Sequence, residues 1–135
     1  MRPASVISAL LLAVMALLLS SPARAQLVAT DNAYTQQNSA TTNTAGGNNL
    51  FVRGSTTADR NTYVRFNLSA LPSGLTASNI STATMMVFAN GVNTAGTFDV
   101  YLVTGAWTEA TVTYRTDPAL GTKIASAVSV TTATS

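Results

Sequence analysis

Residues 63–68 read YVRFNL, and their strict alternation decides the fold class. Val64, Phe66 and Leu68 fall on one side of an extended chain, with Tyr63, Arg65 and Asn67 on the other, which is the period-two signature of a half-buried strand. The apolar set is expected to face the core and the Tyr-Arg-Asn set to face solvent. The same period recurs on both sides of this stretch. Phe98, Val100 and Leu102 alternate with Asp99, Tyr101 and Val103, and Val112 and Tyr114 alternate with Thr111, Thr113 and Arg115. Residues 49–53 give a shorter strand, residues 82–89 are apolar on both faces as in a central strand, and residues 122–130 begin another. Gly, Asn and Pro clusters at 45–48, 71–74, 90–91 and 117–118 separate these segments. Short strands, regular turns and no helical period predict an all-β, antiparallel β-sandwich of jelly-roll type.

Composition agrees. Residues 1–25 read as a secretory signal peptide: Arg2 opens it, residues 6–19 are an almost continuous apolar run, and Ala23-Arg24-Ala25 is the cleavage signal. The protein is therefore expected to be secreted, extracellular or at the cell surface, with the periplasm as the other destination. No membrane insertion is expected once the leader is removed. Without the leader, 110 of the 135 residues remain, enough for one small domain. That chain is rich in Thr, Ser, Asn and Ala, which suit pleated surfaces and turns.

Charge excludes one class of partner. Of seven basic residues, Arg2 and Arg24 lie in the leader, so Arg53, Arg60, Arg65, Arg115 and Lys123 face five acids, Asp31, Asp59, Asp99, Glu109 and Asp117. The mature chain is neutral and the pI of about 9.4 rests on the leader, which removes the electrostatic basis for nucleic-acid binding. The chain has no Cys and no His. Disulfides, Ser-His-Asp and Cys-His catalysis and ordinary zinc sites are thereby excluded.

Several segments, in order, resemble the DNRLRE-type domain, grouped with family 96 of the carbohydrate-binding modules. They are Asp31-Asn32-Ala33-Tyr34, Asn48-Asn49-Leu50-Phe51-Val52, residues 60–72 (RNTYVRFNLSALP), residues 80–85 (ISTATM) and residues 107–118 (WTEATVTYRTDP). The resemblance implies a secreted or cell-surface sandwich module that binds carbohydrate, in some members acidic polysaccharides such as alginate. It also implies that the family pattern runs on for several strands beyond Lys123, so the chain matches about the first two-thirds of the module. Tyr114 stands where a second tryptophan is usual.

The candidate residues divide between binding and architecture. Tyr63 shares a face with Arg65, and Arg115 is the other strand-borne arginine; guanidinium pairs bidentately with carboxylate and an aromatic ring stacks on a sugar. These three, joined by Arg53 and Arg60, form the expected ligand-binding set for an anionic polysaccharide. The competing reading pairs Arg65 and Arg115 with Asp59, Asp99 or Asp117 as surface ion pairs. Asp31, with Asn32, is either a turn former or one ligand of a structural calcium; no other cofactor is expected. Glu109 would need a second carboxylate within roughly 5–10 Å to act as a general acid or base. Asp117 precedes Pro118 as a turn former, so Trp107 is expected to cover the core and Glu109 to bond a neighbouring backbone. No enzyme is expected, though a lyase using one of Tyr34, Tyr63, Tyr101 and Tyr114 as base is a third reading. A structural spacer or adhesin-like repeat is the second, and an unpaired final strand would favour edge-strand self-association.

Overall fold

The computed structural model describes residues 25–131; the leader reading of residues 1–25 falls almost wholly outside them. Among the described residues four strands form two antiparallel sheets of two strands each, an all-β, sandwich-like arrangement. Strands β1 (Ala29–Gln36) and β2 (Arg60–Phe66) make one sheet, and β3 (Gly96–Val103) and β4 (Leu120–Val130) the other. Short 3-10 turns at Gln37–Ser39, Leu68–Ala70, Ala77–Asn79 and Tyr114–Thr116 are the only helical elements among the described residues.

The first sheet reverses the expected orientation of β2. Tyr63 is the buried residue, at 4% exposure, while Val64 and Phe66 are each more than a third exposed. The reason lies in the neighbours. Ala33 stands directly across the ladder from Tyr63, and its small side chain leaves room for the phenol ring. The ring then packs against Trp107, centroids 5.8 Å apart, and Val112 completes the cluster. An aromatic pair contributes more buried area than Val64 could in the same place. Asp31 and Asn32 form no turn: they lie within β1, which is extended throughout, with Ala33 and Thr35 fully buried.

Three expected strands are absent, each for a local reason. At 49–53 only Arg53 pairs, with Arg60; two residues along, the Thr62 hydroxyl donates to the Phe51 carbonyl at 2.8 Å in place of a ladder bond. At 111–115 threonines satisfy the backbone locally. Thr108 O accepts from Thr111 N and Val112 N at 3.2 and 3.1 Å, and Thr113 O accepts from Thr116 N at 3.0 Å, closing a 3-10 turn. Residues 82–88 belong to no strand among the described residues. An apolar run becomes a central strand only with a ladder at each edge, and residues 82–88 join neither ladder among the described residues.

The second sheet is bent by bulges. Ala127 takes a left-handed backbone, φ 53°, and its N–H donates to Asp99 Oδ1 at 2.9 Å. The register slips between Phe98 and Val103 accordingly. Beyond β3, Thr104 N and Gly105 N both donate to the Ala119 carbonyl, at 2.9 and 3.1 Å. A Cβ on Gly105 would lie 2.5 Å from Ala119 N, so this crossing needs glycine.

Candidate functional site

The first ladder and the loop before it place Arg53 and Arg60 opposite each other. Arg53 N donates to Arg60 O at 3.1 Å and Arg60 N to Arg53 O at 2.9 Å. Residues that exchange both backbone bonds hold their side chains on the same face. Two cationic stems therefore rise side by side, an arrangement that costs free energy unless an anion lies between or above them. Neither arginine makes an ion pair among the described residues, where only Arg65–Asp31 and Lys123–Asp99 do.

Around this pair the two sheets frame an open cleft of about 240 Å³. Strand β2 contributes Arg60 and Asn61, the loop before it Arg53 and Asp59, and the second sheet Asp99 and Tyr101. Arg60 is held from behind by aromatic rings: its guanidinium carbon lies 5.1 Å from the Phe51 centroid and 6.0 Å from that of Tyr34. Phe51 and Tyr34 meet edge to face at 5.0 Å. The Arg60 Nε is buried and has no hydrogen-bond acceptor among the described residues. On the far wall Lys123 Nζ bonds Asp99 Oδ2 at 2.6 Å and lies 5.3 Å from the Tyr101 centroid. The lysine bond, before the Ala127 N–H, holds the Asp99 carboxyl below its usual range, and the same bond raises Lys123.

The remaining expected binding residues lie elsewhere. Tyr63 cannot stack on a sugar, because its ring is in the core. Burial first, and the neighbouring Asp117 carboxylate second, push its phenol well above the usual tyrosine range. Arg65 shares the face of Tyr63 but is committed to structure. It pairs with Asp31 at 3.5 Å, donates to the Trp107 carbonyl and lies 4.6 Å from the Trp107 centroid. Asp31, rather than Asp59, Asp99 or Asp117, is thus the counter-ion of Arg65, and no three His, Cys, Asp or Glu side chains converge on a metal-sized site among the described residues. Arg115 sits exposed in the Tyr114–Thr116 turn, its N–H bonded to Ala40 O at 3.0 Å, and does not border the cleft.

The WTE stretch is architecture, as expected from the sequence. Trp107 packs on the core cluster, and Glu109 Oε1 accepts from Asn32 N at 3.4 Å. Asn43 ties the turn down, its Nδ2 donating to the carbonyls of Glu109 and Val112 at 2.9 and 2.8 Å.

Sequence reading missed Asp59, Asn61, Phe51, Tyr34 and Tyr101 as neighbours of Arg53 and Arg60. Reading residues 49–53 and the strand from Arg60 as a hairpin would have set Arg53 against Arg60, with a Gly-Ser-Thr-rich connection between them.

An all-β scaffold that offers an open cleft of arginine, amide and aromatic side chains has the make-up of a binding module. The family model of carbohydrate-binding module family 96 matches residues 23–135, most of the chain, and the protein belongs to that family. Comparison with curated proteins and with solved structures returned no significant match.

Proposed function

We propose that the protein is an exported, non-catalytic module that binds acidic polysaccharide, alginate being the first ligand to test, through the cleft at Arg53 and Arg60. The observation that carries this reading is the Arg53–Arg60 pair itself. Two arginines stand opposed on one face, and neither makes an ion pair among the described residues. A uronate carboxylate supplies the missing charge, in the bidentate geometry arginine favours. Tyr101, on the cleft wall, offers an aromatic ring to the apolar side of the sugar. Glu109, the residue best suited by sequence to acid–base work, is engaged with the Asn32 backbone, which favours binding over catalysis. The leader at residues 1–25 supports export to where such polymers are found.

Affinity electrophoresis in alginate gels tests this. Wild-type protein should be retarded, and Arg53→Ala with Arg60→Ala should weaken binding about 10–100-fold, the loss of one or two charge-assisted contacts. Retention should also decline steeply with added salt. A double variant that binds as wild type does would refute the site, and a wild type that is retained by no acidic polymer would leave a structural spacer as the better reading.

A further inference from the structure

We infer that Asp59 makes the cleft selective for uronates with free hydroxyl groups over sulfated or esterified chains, a step that rests on the acidic-polysaccharide reading above. Asp59 lines the same cleft as both arginines yet forms no ion pair with either among the described residues. It is fixed at three points. Its N–H donates to Gln37 Oε1 at 3.3 Å, its carbonyl accepts from Gln37 N at 2.9 Å, and Oδ1 accepts from Ser55 N at 3.3 Å. Ser55 in turn braces the loop, its Oγ accepting from Thr57 N and Ala58 N at 3.3 and 3.1 Å. The second oxygen, Oδ2, makes no hydrogen bond among the described residues.

The other carboxylate of the cleft differs. Asp99 bonds Lys123 through Oδ2 and Ala127 N through Oδ1, so its charge is matched within the protein. The cleft thus presents two unpaired cations and one preorganised acceptor-only oxygen. A uronic acid residue complements that set, since its carboxylate suits the arginines and its ring hydroxyls can donate to Asp59. A sulfate ester has no proton to donate and sets negative oxygens against the Asp59 carboxylate, and an acetylated hydroxyl has lost its donor. Leaving a placed polar group unpaired is the strongest form of rejection available to a binding site.

Titration calorimetry of the full chain with alginate, O-acetylated alginate and dextran sulfate separates the outcomes. Wild type should prefer alginate to dextran sulfate. Asp59→Asn keeps an Oδ1 acceptor for Ser55 N and removes the charge, so it should erode that preference about ten-fold, chiefly by binding dextran sulfate more tightly. The penalty for acetylation should shrink as well. Asp59→Glu, which retains the charge, should keep the preference for alginate, whereas a purely structural role would make the Asn and Glu variants behave alike. An Asn variant with the wild-type preference overturns the role of Asp59 and leaves the binding site standing. A wild type that binds none of the three polymers overturns both.

Discussion

The molecule contains two apolar regions that met opposite fates. Midway along the first sheet Tyr63 and Ala33 are buried together with Val112, and Trp107 packs against them. Residues 82–88 (TATMMVF) are at least as apolar, yet Met86 and Phe88 are 71% and 73% exposed. Hydrophobicity does not separate them. The first region has a β-ladder below it, a turn pinned by Asn43 and Glu109 above it and a small residue opposite the large one. The second has none of these among the described residues. Burial follows from partners whose backbone groups are already satisfied, and the apolar side chain by itself supplies no such partner.

The largest expected effect breaks the packed region. Tyr63→Ala removes the ring that joins Ala33, Trp107 and Val112, leaving a cavity that the pinned turn cannot close. A loss of about 3–5 kcal/mol is expected, a large part of the stability of a small domain. Chemical denaturation followed by Trp107 fluorescence measures it. A midpoint close to wild type would mean that the cluster is not the core.

Alkaline pH probes the same ring less harshly. Burial and Asp117 raise the folded-state pKa of Tyr63 above its ordinary value near 10. The neutral phenol therefore contributes stability that is fully present below pH 10. As pH rises above 10, the unfolded chain ionises while the folded one keeps its proton. Stability should fall by about 1.4 kcal/mol for each pH unit in that window. Tyr63→Phe has no proton to lose, so the gap between it and wild type should shift in its favour above pH 10. Parallel alkaline profiles for the two proteins would contradict the burial of this hydroxyl.

What the sequence disclosed and what it concealed follow the same division. Alternation exposed β2, β3 and β4 because period two depends only on the chain itself. It could not assign the inward face of β2, since Val64-Phe66 and Tyr63-Arg65 both offer an apolar body, and the choice was made by Ala33 and Trp107, 30 and 44 residues away along the chain. Strand β1 was hidden because its buried positions are Ala33 and Thr35, too small and polar to register as a hydrophobic stripe. Threonine-rich residues 108–116 alternate like a strand, but their hydroxyls and carbonyls bond one another. Of the binding residues, Arg53 and Arg60 were visible as types and their juxtaposition was not, because it depends on one bridge. Arg65 and Asp31 were equally visible, and the structure spends them on each other.

The smallest effect on folding is expected in the uncovered region, and it sharpens the contrast most. Residues 66–98 contain no charged side chain, so nothing in this span repels a second copy. Apolar, uncharged and free of proline, residues 82–88 have the make-up of a segment that pairs with its own kind. Phe88→Ser should leave the unfolding midpoint within about 0.5 kcal/mol of wild type, because the ring is already in solvent. Its effect should instead be on association. Light scattering against concentration should show the wild type gaining mass while the variant stays smaller. If Phe88→Ser unfolds the protein as Tyr63→Ala does, then Phe88 is packed in solution and the two regions are not different in kind.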